Sequence, residues 1–158
     1  MRLLVVVVGR VRGPLAAAVE KYEERARRYW KLEFAEVAGG VTGGGGQASA
    51  VRVRKAEADR ILARIPADLE VVAVTRAGKG MESRELAGYL EEHGVRSSAG
   101  VAFVIGGAFG LDPSVVERAR RKLSLSTFTL PHEMARLVLA EQLYRAGTIV
   151  RGEPYHKG

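Results

Sequence analysis

The 158-residue chain contains no cysteine. That absence excludes disulfides, thiolate metal sites and cysteine nucleophiles together, and it fits a cytoplasmic protein. Histidine is scarce as well, with three. The stretch from His132 to Arg136 begins like the HExxH zinc motif, but Arg136 stands where the second histidine belongs, and no metal is expected. No apolar run approaches the roughly 20 residues that cross a bilayer, so no membrane association is expected. The opening MRLLVVVVG lacks a small-residue cleavage site and reads as a buried strand. Two phosphate-binding signatures are missing. The glycine cluster GGVTGGGGQ at 39–47 has no Lys-Ser/Thr after it and reads as a flexible loop, and GRVRG after the first strand lacks the GxGxxG spacing of a dinucleotide fold.

What is present is apolar content of 47%, a mean hydropathy near zero and a net charge of +7. The length fits one domain over residues 1–158, large enough for a core. Such a basic balance favours polyanionic partners, because neutralising phosphates releases counterions. The excess gathers late: from Pro113 onward eight Lys and Arg face four Glu.

LLVVVV at 3–8 and GVAFVIGG at 100–107 are continuous apolar runs of the kind found in strands buried on both faces. LEFAEVA alternates as a half-buried strand, and LEVVAVT at 69–75 is another. Helical patterns follow Pro14, span about 48–64 and 83–92, begin again at Pro113, and run from Pro131 to about Gly147. Strands alternating with helices predict an α/β fold with a largely parallel sheet and helices on both faces. Ligands of such sheets sit beyond the carboxyl ends of the strands, which selects the loops 76–81, 106–111 and 124–132.

Gly106-Gly107 ends a buried strand, where missing Cβ atoms let a ligand approach the backbone or permit a tight turn. LSLSTFTLPHEMAR crowds hydroxyls before a helix start, which suits anions and acceptors, or capping by Thr129. On the last helix Met134, Leu137 and Val138 mark an apolar stripe, with Glu141 on the same face and Arg145 one turn on. That spacing describes an i,i+4 ion pair, or a carboxylate facing a cleft. His93, beside Gly94, reads as part of a helix C-terminal cap. The tail RGEPYHKG places Tyr155 and His156 near a chain end, which is a place for fraying unless the tail belongs to a site.

FVIGGAFGL, LSLSTFTLPHEMARLVLAEQLYRA and the terminal RGEPYHKG together closely resemble the ribosomal RNA large subunit methyltransferase H family, small members of the SPOUT (α/β-knot) methyltransferases. The resemblance covers the whole chain and is most specific from Phe103 onward. It implies a sheet whose C-terminal segment forms a deep trefoil knot, and a homodimer that binds S-adenosyl-L-methionine. Cofactor contacts are implied for Val74, Gly106, Gly107, Thr127, Phe128, Thr129, Leu130, Pro131 and His132. The implied reaction methylates N3 of a pseudouridine in helix 69 of 23S rRNA within the assembled 70S ribosome, in the cytoplasm. N3 is an imide nitrogen that must give up its proton, and Glu141 and His156 are the candidate bases. Arg145 would orient the carboxylate or hold phosphate, Tyr155 would stack on the base, and Arg136, Arg151 and Lys157 would neutralise rRNA phosphates. Two other readings share the fold: a SPOUT enzyme with a different target base, and a non-catalytic ribosome-binding protein.

Overall fold

The apolar runs become the middle of a five-stranded sheet in a computed structural model that describes residues 1–40 and 46–157. The strands are β1 (Arg2–Val8), β2 (Lys31–Val37), β3 (Glu70–Gly80), β4 (Gly100–Ile105) and β5 (Arg121–Ser124). All pair in parallel, in the order β2-β1-β4-β3-β5. LLVVVV and GVAFVI are near-continuous apolar segments because β1 and β4 are interior strands with both faces covered. Five helices do the covering: α1 (Ala16–Arg27), α2 (Gln47–Arg64), α3 (Ser83–Val95), α4 (Pro113–Arg118) and α5 (His132–Val150).

Two cores result. On one face Ala26 of α1, Leu86 and Leu90 of α3, and Leu139 and Leu143 of α5 close over Leu3, Val5, Val72 and Phe103. On the other, Ala58 and Ile61 of α2 and Val115 of α4 close over Leu4, Val6, Val71 and Val104.

The structure corrects several sequence expectations. Most of the expected loop 76–81 is strand: after an irregularity between Val74 and Lys79, β3 resumes pairing with Leu123 and Ser124. Gly78 permits this, since a Cβ there would lie 2.6 Å from the Lys122 backbone. β5 accordingly begins at Arg121, among charged residues, and ends at Ser124, two residues into the hydroxyl-rich stretch. α3 runs through Gly94 to Val95, and the left-handed residue beyond it is Ser97, at φ 54°. The His93 carbonyl does belong to the C-terminal cap, accepting from Ser98 N–H at 3.0 Å, while its ring faces inward. That ring is buried, with Nδ1 2.9 Å from Ser98 Oγ and Nε2 3.2 Å from the Glu70 carboxylate. Of the glycine-rich stretch, residues 41–45 lie outside the described residues, and the expected flexible loop falls largely there.

α5 is apolar on more than one side. Its buried stripe is Ala135, Leu139, Leu143 and Ala146, while Met134, Leu137 and Val138 stay half-exposed. A helix with apolar residues beyond its core-facing stripe has more surface to cover than one chain covers here.

Candidate active site

The sheet register builds one pocket at the carboxyl edge. Val74 pairs with Ile105, which brings the end of β3 beside the turn after β4. Between that turn and residues 125–132 lies a cavity of about 260 Å³. Val74, Ile105, Leu111, Leu125 and Leu130 supply apolar walls, and Thr75, Ser126 and Thr129 supply hydroxyls. Most of the expected cofactor-binding residues meet here: Val74, Gly106, Gly107, Phe128, Thr129, Leu130 and His132 all line it, whereas Thr127 and Pro131 do not.

The glycine pair is required by the protein's own packing. A Cβ on Gly106 would stand 2.8 Å from the Gly110 backbone, and one on Gly107 would stand 3.0 Å from Val8 and 3.1 Å from Glu57. Gly110 N–H closes the turn onto the Gly107 carbonyl at 3.1 Å. The hydroxyls are likewise engaged. Ser124 donates to the Ser126 carbonyl, Ser126 Oγ accepts from Phe128 N–H, and Thr129 Oγ1 accepts from Arg76 at 3.0 Å. Thr129 does not cap α5. Pro131 holds that position and no side chain caps the helix. Phe128 stands at the pocket mouth with 80% of its surface exposed.

Glu57 was missed by the sequence reading. It is buried, its Oε2 accepts from Gly40 N–H at 2.9 Å, and Oε1 has no partner. It therefore braces the loop after β2 and packs against the Gly107 turn. The available signal was phase: Val53, Glu57 and Ile61 fall on one buried stripe of α2 at i, i+4 and i+8.

A second constellation forms on α5 and the tail. Residues Pro154–His156 make a 3-10 turn folded back on α5, so the expected frayed end is docked. Tyr29 O–H donates to the Glu153 carboxylate, and Glu153 N–H donates to the Thr148 carbonyl. Glu141 is surrounded by donors: Arg145 grips both its oxygens, at 2.8 and 3.3 Å, Gln142 Nε2 donates at 2.8 Å and Tyr155 O–H at 3.0 Å. Burial and the hydrogen bond to Glu141 push the Tyr155 phenol well above its ordinary value. The Glu141 carboxylate likewise raises Arg145. The Arg145 guanidinium lies 4.9 Å from the Tyr155 ring centroid, and Tyr144 packs on that ring at 4.5 Å. His156 Nδ1 is buried without a partner. Glu141, Arg145 and Tyr155 thus touch one another, and His156 shares a groove with Arg145. None of the four lines the sheet-edge pocket of the same chain.

Arg136, expected to meet RNA, is instead buried between α1 and β2. It holds Glu23 at 2.6 and 3.2 Å and Glu36 at 2.6 Å. Its charge is spent inside the protein. Arg151 and Lys157 are exposed.

A parallel α/β sheet with a glycine turn, a hydroxyl-rich loop and a pocket at its carboxyl edge is the arrangement of a nucleotide- or cofactor-binding enzyme. The family model described as "Predicted SPOUT methyltransferase" matches residues 1–156, and the chain belongs to that family. A protein of Gemmatimonas aurantiaca named ribosomal RNA large subunit methyltransferase H is 54% identical over 99% of this chain and all of its own length. One of Rubrobacter xylanophilus with the same name is 48% identical over 98% of each. A solved structure of a probable methylase family protein from Haemophilus influenzae covers 99% of this chain and 70% of its own, with a TM-score of 0.52. At 15% identity that likeness speaks for the fold alone.

Proposed function

We propose that the protein is an S-adenosyl-L-methionine-dependent methyltransferase that modifies N3 of a pseudouridine in helix 69 of 23S rRNA, acting in the cytoplasm on the 70S ribosome. The observation that carries this reading is the full-length match to proteins named for large-subunit rRNA methylation.

The pocket's lining suits the cofactor. Val74, Ile105 and Leu130 would wall the adenine, and the backbone and hydroxyls of 126–132 would meet the ribose and amino-acid ends. S-adenosylmethionine supplies an electrophilic methyl group on its sulfonium. The chain must hold N3 in line with that group and take the N3 proton; positioning supplies much of the rate and a general base adds about 10²–10⁴-fold. Glu141 already accepts from three side chains, so it serves to orient Arg145 and Tyr155. His156 offers the unpartnered nitrogen, and in the tautomer with hydrogen on Nε2 its Nδ1 takes the N3 proton. Tyr155, its ring against Tyr144 and under Arg145, steadies the constellation. Arg151 and Lys157 face the RNA phosphates.

Pocket and constellation are separate within one chain, and α5 carries a half-exposed apolar stripe. We infer a homodimer in which the tail of one subunit completes the cofactor pocket of the other, with the C-terminal segment threaded as the family's knot. Mass spectrometry of 23S rRNA from a deletion strain tests the target: N3-methylpseudouridine should vanish and return on complementation. Its persistence sinks the assignment. Calorimetric titration with S-adenosylmethionine tests the enzyme class, and an absence of binding at millimolar ligand overturns it.

A further inference from the structure

β1 ends at Val8, and the chain turns through Gly9 at φ +86° before Arg10 and Arg12. Between this turn, the end of β2 and His132 lies a groove of about 530 Å³. His132 is the wall it shares with the sheet-edge pocket. The Nε2 of His132 is buried with no hydrogen-bond partner and lies against the turn, 3.5 Å from where a Cβ on Gly9 would stand. A buried polar atom left unmatched is costly, and this one borders a groove that a ligand can enter.

The groove's charges favour an anion. Arg10 is 72% exposed, and its one ionic contact is a 3.9 Å approach to Glu36. Arg12 is exposed and makes no ion pair or hydrogen bond among the described residues. Glu36 is the one carboxylate on the groove's wall, and Arg136 already holds it at 2.6 Å. At the far rim Arg60 donates to the carbonyls of Ala38 and Gly39. Arginine forks match the paired oxygens of a phosphodiester.

We propose that this groove binds a phosphodiester of the RNA substrate. Arg10 and Arg12 engage its oxygens and His132 Nε2–H donates a further hydrogen bond, which registers the target nucleotide against the adjoining pocket. The inference rests on the rRNA methyltransferase reading and adds a substrate contact to it. It gives His132 a place in both sites, lining the cofactor pocket and donating from its imidazole to RNA.

The test compares full-length wild type with the double variants Arg10→Ala/Arg12→Ala and Arg10→Lys/Arg12→Lys. Ribosome binding is measured across a salt series, methylation by KM and kcat, and S-adenosylmethionine affinity by calorimetry. The alanine pair should flatten the slope of log affinity against log salt by about one to two units. It should raise KM for ribosomes while kcat and cofactor affinity stay near wild type, and the lysine pair should restore the slope. A folded alanine pair with unchanged slope and KM overturns the groove assignment, as does lost kcat at unchanged KM. Wild type that binds ribosomes without methylating them fails the parent reading, while the slope comparison still decides the groove.

Discussion

Two buried acids show what a single side chain does in this protein. Glu57 ties Gly40 to the floor of the Gly107 turn, so Glu57→Ala should lose a hydrogen bond to a charged group, about 1.5–3 kcal/mol of stability, in urea unfolding. Glu57→Gln, which keeps an acceptor for Gly40, should recover most of that; equal losses in both would show that the acceptor is irrelevant. Arg136 is the harsher case. Arg136→Met leaves Glu23 buried with no counter-charge and should cost about 3–5 kcal/mol, the usual result of removing one partner from a buried pair. A variant as stable as wild type would mean that the guanidinium contributes nothing there. For His156→Ala, methylation should fall about 10²–10⁴-fold with an unchanged melting temperature, the signature of a lost base. Neither acid's partner was legible in the sequence, because Glu57 and Glu23 meet groups 17 and 113 residues away. Their phase with the apolar stripes was visible, since Val19, Glu23 and Ala26 share the buried side of α1 just as Val53, Glu57 and Ile61 share that of α2. The Glu141–Arg145 pair was legible because α5 brings the two one turn apart whatever the tertiary context, whereas the bond from Tyr155 depends on the tail folding back and was not.

Between elements, the junction of β3 with α3 predicts a pH response. Burial pushes Glu70 up, but hydrogen bonds from Tyr89 and His93 and the His93 and Arg120 charges outweigh it, leaving the carboxyl below its ordinary 4.5. A depressed carboxyl contributes stability above that value and loses it as pH falls through the lowered one. Tyr89 runs the other way: burial and its bond to Glu70 raise the phenol above 10.0, so its contribution is complete below that pH and declines above it. Tyr89→Phe should reduce the alkaline loss, leaving the share of Tyr29 and Tyr155, and shrink the acid loss, read from melting temperature across pH. Unchanged limbs at both ends would refute the coupling. Periodicity revealed the elements whose pattern is set by their own burial, which is why β1, β4 and α2 lie close to where their sequences place them. It failed where pairing alone decides. β3 continues through Arg76 and Lys79 past the end of β4, and the edge strand β5 takes in Arg121 and Lys122, because strand with a single neighbour needs backbone partners more than apolar side chains. The α5 stripe was misjudged for the opposite reason: apolar residues lie on several of its sides, and the pattern does not say which side meets the core.

For the whole molecule, the separation of the two constellations makes the strongest demand. If each active site draws its pocket from one subunit and its tail from the other, a subunit with a ruined tail and one with a ruined pocket can complement each other. Removing Glu153 to Gly158 leaves both cores and the sheet-edge pocket untouched, so that truncation should dimerise and bind S-adenosylmethionine yet not methylate. Gly107→Val should fill the space beside Val8 and Glu57, disturb the pocket, and leave the tail and the exposed side of α5 in place. Each homodimer is then inactive. In an equal mixture allowed to exchange subunits, half the dimers are mixed and each carries one intact site of two, so activity should return to about a quarter of wild type. The measurement is methyl transfer to ribosomes lacking the modification, before and after exchange. Activity that stays at zero after exchange, with mixed dimers verified by native mass spectrometry, would mean that tail and pocket serve each other within one chain. The tail would then have to leave its bonds to Glu141 and Tyr29 and cross to its own sheet edge, a rearrangement that the docked turn at Pro154–His156 opposes.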